Sequence, residues 1–520
     1  MYRGNSMEST GGTNNTFAEA SKYVDVMVIG AGLSGIGAGV RLQRDCPDAT
    51  YAILERREAI GGTWDIFRYP GIRSDSDMHT LGYDFKPWSA EKAIADGTAI
   101  REYVNATADE YGVREHIQFQ HKLTAANWCS ELGQWILSVE TPGGLAEYRC
   151  NVLLMCAGYY SYDAGYQPDF AGKDSFEGTW VHPQFWPQDL DYTNKKVVVI
   201  GSGATAMTLV PNMASQAEHV TMLQRSPTYV ISRPSIDAGA NWLRKHLPEK
   251  MAYALTRWRN TVWQQFFYGL SRVAPSILRR SLLKKVESEV GDILDVEKHF
   301  TPDYNPWDQR LCLVPDDDLF EALKARKADV VTDHIAQIDA KGILLKSGQY
   351  LEADVIVSAT GLNLLVLGGA EFSVDGESVD FSKEWTYKGM MCSNVPNMIQ
   401  TFGYINASWT LRADLIAHWT TRVVNHLKAT GNHQFTPRIS AALDQSMPKR
   451  LWIDDFSAGY MQRVMHLFPK QGDQSPWVNP QNFRKDRQMF RDEPLEDDAL
   501  KFERASPADP QSSVELQRAS

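Results

Sequence analysis

One pattern constrains this chain more than any other, and it occurs twice: a short β-branched run, a glycine-rich turn, then a helix of small residues. Val24-Asp25-Val26-Met27-Val28-Ile29 reads as a buried parallel strand. Gly30-Ala31-Gly32-Leu33-Ser34-Gly35 follows at once and opens a helix. In such a turn Gly30 makes the tight bend, Gly32 lets a pyrophosphate approach the backbone, and Gly35 lets helix and strand pack closely. The free N–H groups and dipole of the helix N-terminus then favour phosphate. The second copy is Lys195-Lys196-Val197-Val198-Val199-Ile200 with Gly201-Ser202-Gly203-Ala204-Thr205-Ala206 behind it. A lone GxGxxG arises by chance roughly 0.2 times in a chain of this glycine content, so the strand–turn–helix context carries the reading. The expected fold is α/β, with two Rossmann-like dinucleotide-binding domains.

The end of the next strand separates the two nucleotides. After the first turn, Thr50 to Leu54 leads into Glu55, an acid suited to an adenosine ribose diol. After the second, His219 to Gln224 leads into Arg225 and Ser226. A cation there suits a 2′-phosphate, unless Arg225 is only a surface ion-pair partner. FAD is therefore expected at the first site and NADPH at the second, with hydride passing to the flavin. None of the six cysteines has CxxC spacing, which removes the disulfide reductases and leaves reduced core thiols of a cytoplasmic protein. A net charge of −11 over 520 residues argues against nucleic acid as a partner. No apolar run approaches the ~18 residues of a membrane span. Residues 1–22 read as a leader without a signal-peptide run, and residues 486–520 as a C-terminal tail, solvated from Phe502 to Ser520.

Between the two sites lies Phe176-Glu177-Gly178-Thr179-Trp180-Val181-His182-Pro183-Gln184-Phe185-Trp186-Pro187. It matches F-x-G-x-x-x-H-x-x-x-W-P at every fixed position, a chance event of roughly 4 × 10⁻⁵ per chain. Upstream stand Gly62-x-Trp64, Tyr69-Pro70-Gly71 and Asp75. On these motifs the chain resembles the type I Baeyer–Villiger monooxygenases, class B flavoprotein monooxygenases. Phe67 to Asp77, Tyr304 to Arg310 and Tyr404 to Thr410 resemble the ethionamide-activating branch. The likeness runs from about Tyr23 to about Arg484.

The resemblance implies that NADPH reduces FAD, that dioxygen forms a C4a-peroxyflavin, and that this attacks a ketone to yield an ester or lactone. Thioether or thioamide oxidation is an expected side activity. The alternative is an N- or S-hydroxylating flavin monooxygenase using the C4a-hydroperoxide. By position, Arg310 matches the family's catalytic arginine and Asp75 the acid that orients it. Gly62, Thr63 and Trp64 fall with the FAD site. Val355 to Gly361, with Thr360, resembles the return from the NADP domain, as Cys156-Ala157-Gly158 does for the FAD domain. His182 and Trp186 are expected in a linker that relays domain motion. Trp477 resembles a tryptophan on a loop that closes over NADP. Gln309 departs from the family, where many members carry a lysine, and this weakens the expected preference for NADPH over NADH.

The expected domains are 23–165 with 385–485 for FAD and 175–235 with 320–370 for NADP, around a helical insert at 236–318. That insert is rich in Arg and Lys interleaved with Trp242, Trp258, Trp263, Phe266 and Phe267. Such a stretch suits a peripheral membrane contact. The preferred reading is that its aromatic face covers the active site. The identity of the ketone and the oligomeric state stay open.

Overall fold

The computed structural model describes residues 22–454 and 456–504. The leader expected over residues 1–22 lies outside them except for Lys22, and so does the end of the expected tail, 505–520. Strand Lys22–Ile29 pairs in parallel with Tyr51–Glu55 on one side and Gly144–Met155 on the other. Helix Leu33–Asp45 crosses between the first two. Alternation along the first strand divides its side chains: Val26 and Val28 enter a core shared with helix Leu33–Asp45, Met27 and Ile29 the opposite one. Burial on both faces is why the strand reads as a continuous apolar run. The meander Lys122–Cys129, Gln134–Thr141 and Gly144–Met155 extends this sheet by antiparallel pairing.

The second sheet is wholly parallel. Its strands run in the order Ala328–Thr332, His219–Gln224, Lys196–Ile200, Val355–Ser358, Thr179–Val181. Val197 and Val199 again face one core and Val198 and Ile200 the other. The two units are therefore built on the same βαβ plan. Two chain crossings join them, Tyr160–Gly165 outward and Leu362–Leu364 back, and these pair antiparallel as a ribbon.

Three expectations need correction. The first sheet already takes back the chain at Glu371–Val374, which pairs with Lys122–Cys129, so this unit resumes before residue 385. Residues 486–503 belong to the first unit rather than to a tail, and the reading of Phe502 and Glu503 as part of a solvated tail is overturned with them. Asp486 and Phe490 are fully buried, and Leu500–Glu503 pairs with Gln434–Pro437. A polar composition hid this, because Asp486 is buried against Arg412 rather than against apolar groups. Finally, the aromatic face of the insert does not cover the cleft. Helix Glu249–Val273 turns Trp258, Trp263, Phe266 and Phe267 outward, since its polar side chains are taken up by the turn beneath it.

Candidate active site

Each glycine turn is shaped by the return strand beside it. Gly30 has φ +105°, and a Cβ there would stand 2.6 Å from the carbonyl oxygen of Cys156. Gly201 has φ +138°, and its Cβ would stand 2.4 Å from the carbonyl oxygen of Ala359. Only glycine fits either place. A Cβ on Gly35 would come within 1.8 Å of the Gly30 oxygen, so the third position of the first motif is closed by the protein itself. The middle glycines differ in kind. Around Gly203 a Cβ would meet nothing within 4 Å, and around Gly32 only the Gly62 backbone, at 3.6 Å. These are open cradles in front of helix N-termini, the space a diphosphate requires.

Glu55 is buried at the end of its strand, 3% exposed. Its two carboxylate oxygens accept from the backbone N–H groups of Ala31 and Arg57, at 2.8 and 2.9 Å. Burial pushes its pKa up against these bonds. Lone pairs remain for a ribose diol facing the cleft. At the second turn Ser202 donates its hydroxyl to the carbonyl oxygen of Ser226. Arg225 and Ser226 are exposed beyond the strand end, and Arg225 makes no ion pair among the described residues.

One cleft joins the two turns. Its walls include Gly30, Gly32, Glu55, Gly62, Thr63 and Trp64 from the first unit, and Ala204 and Thr205 from the second. Tyr69 lines the cleft beside Thr205, and burial pushes its phenol up to about 12. Arg310 and Asp75 face each other within this cleft. Arg310 Nε lies 3.0 Å from Asp75 Oδ2, with about a third of each side chain, 34% and 31%, left open. That opening is to the cleft. The Asp75 carboxylate raises the guanidinium's pKa further above its ordinary value, overriding the desolvation that would lower it. The ion pair is made at Nε, and no hydrogen bond from either Nη is present among the described residues.

Three phenols surround this cation. Tyr159 and Tyr160 share a hydroxyl–hydroxyl hydrogen bond of 2.9 Å, and Tyr460 lines the cleft with them. Burial raises all three pKa values, that of Tyr160 to about 12. All three therefore stay neutral near pH 7. Sequence reasoning missed them. Tyr159 and Tyr160 directly follow Cys156-Ala157-Gly158, so their place after a return strand was the available signal; Tyr460 had none. At the N-terminus of helix Trp409–Thr430, Ala407 and Trp409 complete the wall, with Trp409 stacked on Tyr159.

The other expected residues lie elsewhere. His182 caps the crossing ribbon: Nδ1 accepts from Gln184 N–H at 3.2 Å, so Nε2 carries the hydrogen and donates to the Gly361 carbonyl at 3.1 Å. Burial lowers its pKa. Trp186 packs against the second unit's core near Tyr192. Thr360 donates its hydroxyl to the Tyr166 carbonyl at 2.7 Å, beside the crossing ribbon. Trp477 is 2% exposed and packs edge-on against Tyr387 in the first unit's core, away from the cleft. An aromatic residue in a polar stretch carried no sign of which it would be.

Residues 93–434 match the family model described as flavin-binding monooxygenase-like, and residues 28–90 match that of an NAD(P)-binding Rossmann-like domain. The chain is 48% identical over 483 residues to the FAD-containing monooxygenase EthA of Mycobacterium tuberculosis, covering 93% of this chain and 98% of that protein. It is 46% identical over 486 residues to the probable FAD-binding monooxygenase AlmA of Acinetobacter baylyi, covering 93% and 97%. Among solved structures, an oxidized steroid monooxygenase bound to NADP superposes with a TM-score of 0.75 at 23% identity, covering 93% of this chain and 100% of that one. A cyclohexanone monooxygenase with bound ε-caprolactone gives 0.73 at 20% identity, covering 93% and 100%. At such identities the likeness speaks of the fold.

Proposed function

The chain belongs to the flavin-binding monooxygenase-like family, and we propose that it is an NADPH- and dioxygen-dependent FAD enzyme that converts ketones to esters or lactones, with sulfur oxidation as a side activity. The observation that carries this reading is the Arg310–Asp75 pair, open to one cleft that both glycine turns line. The bound flavin, reduced by the nicotinamide, supplies the oxygen-activating chemistry.

The chain's own residues do the rest. Glu55 accepts from the ribose of the flavin's adenosine, and the cradles at Gly32 and Gly203 receive the two diphosphates. Arg225, helped by the Ser226 hydroxyl, meets the 2′-phosphate that distinguishes NADPH from NADH. Asp75 fixes Arg310 through Nε and turns its Nη groups to the cleft. Negative charge develops on a ketone oxygen when a nucleophile adds to the carbonyl. A preformed cation with two free N–H donors stabilises that charge without reorganising. Neutral Tyr159, Tyr160 and Tyr460 wall the cation from water and bring no competing anion. His182 holds the ribbon between the units and takes no proton from substrate.

The test is to supply purified holoenzyme with NADPH in air, with and without a short 2-alkanone, and to analyse products by gas chromatography. Ketone-stimulated NADPH loss with ester formed in step is the expected result. NADPH loss with hydrogen peroxide and no ester, for any ketone tried, would refute the ketone chemistry and leave a monooxygenase of amines or thioethers.

A further inference from the structure

Helix Glu249–Val273 is built inside out. Its buried face is polar. Arg257 donates to the carbonyl oxygens of His79 and Gly82, at 2.9 and 2.7 Å. Asn260 and Gln264 donate to the two carboxylate oxygens of Asp77, at 3.0 and 3.2 Å. These bonds clamp the turn that carries Asp75. The apolar side chains face away from the protein. Met251, Leu255, Trp258, Val262 and Phe266 recur at helical spacing along one exposed stripe, with Trp263 and Phe267 beside it. Trp258 is 67% exposed and Phe266 56%. Trp263 has its ring centroid 5.8 Å from Phe266 and 5.7 Å from Phe267, a cluster with no cover among the described residues. A contiguous apolar patch of this kind marks an interaction surface.

The charges around it are predominantly positive. Residues 238–290 carry ten Lys and Arg against three Asp and Glu, in a chain whose net charge is −11. Exposed Lys245 and Lys250 stand near the helix's N-terminal end. Ile277, Arg280 and Lys284 form the outer stripe of the following helix, Pro275–Val290. None of these four cations has an ion-pair partner among the described residues. We propose that this face seats the protein on an anionic phospholipid bilayer, with the indole and phenyl rings at headgroup depth and the cations on lipid phosphate. No described helix is long and apolar enough to cross a membrane, so the contact lies in the interface plane. A second copy of the chain is the poorer occupant. A symmetric pairing through this face would bring the same unpaired cations against one another. The seated face adjoins the catalytic segment: Arg272 donates to Asp308 and to the Pro306 carbonyl, both at 3.1 Å, just before Arg310.

Co-sedimentation of full-length holoenzyme with vesicles tests this. Phosphatidylcholine vesicles are compared with phosphatidylcholine–phosphatidylglycerol vesicles at about 0.1 M salt. The expected result is binding at least about tenfold stronger to the anionic vesicles, with Lys250→Gln and Lys284→Gln each weakening it about fivefold. The triple variant Trp258→Ser/Trp263→Ser/Phe266→Ser is expected to release the protein while its NADPH oxidation in solution matches wild type. The proposal is overturned by equal partitioning to both vesicles. It is also overturned by undiminished binding of the triple variant, or by a lipid-free dimer in sedimentation velocity that the triple variant splits.

Discussion

Arg310 is useful for what its pairing leaves undone. Asp75 meets Nε, and the proposed function assigns the Nη groups to the substrate oxygen. Arg310→Ala is expected to lower ester formation about 10²–10³-fold, the cost of losing a preorganised donor at developing charge. Flavin absorbance and NADPH oxidation should persist, and gas chromatography beside NADPH loss separates the two. Arg310→Lys should recover little, because an ammonium has no fork. In the proposed function Arg225 meets a phosphate rather than reacting atoms. Arg225→Ala removes a charge-assisted bond of about 1.5–3 kcal/mol, tenfold or more in the KM for NADPH. The KM for NADH should barely move, and steady-state kinetics with both nucleotides reads the difference.

At the scale of elements, the two glycine turns respond differently to the same substitution. Gly35→Ala places a methyl 1.8 Å from the Gly30 oxygen and is expected to yield protein without flavin or no soluble protein. Gly203 has φ −78° and open space, so Gly203→Ala should change folding stability by less than about 0.5 kcal/mol while raising the KM for NADPH. Thermal unfolding and kinetics on the same preparations distinguish these outcomes. The crossing ribbon gives a pH effect through His182. Its folded pKa is lowered by burial, so its contribution is fully present above the unfolded value of about 6.5. Below that, the unfolded chain takes up the proton more readily, and the contribution falls with pH. The Tm advantage of wild type over His182→Gln should therefore shrink between about pH 8 and pH 5.

Across the whole molecule, the segment after residue 485 closes the first unit. Arg412 and Asp486 are both fully buried, 3.3 Å apart. Arg422 donates to the carbonyl oxygens of Phe490 and Glu493. A chain ending at Arg484 would leave Arg412 buried without its partner, at a cost of about 3–5 kcal/mol. Such a truncation is expected to unfold at markedly lower temperature and to release flavin, as differential scanning fluorimetry on flavin emission would report.

The α/β class, both glycine turns and the strand-end place of Glu55 were legible in the residues, and the Asp75–Arg310 pairing followed from the family resemblance. Each depends on local backbone geometry, or on a motif whose chemistry tolerates few substitutes. Glycine at Gly30 and Gly201 answers to a carbonyl of the neighbouring strand, and no other residue fits. Tertiary structure alone decided what depends on packing between distant segments. Tyr460 joined Tyr159 and Tyr160 around Arg310, and Trp477 went into the core. It also turned the aromatic stripe of the insert outward. Helical periodicity says which residues share a face, but the direction of that face depends on its neighbours. Here Asp77 and the carbonyls of His79 and Gly82 drew the polar face inward.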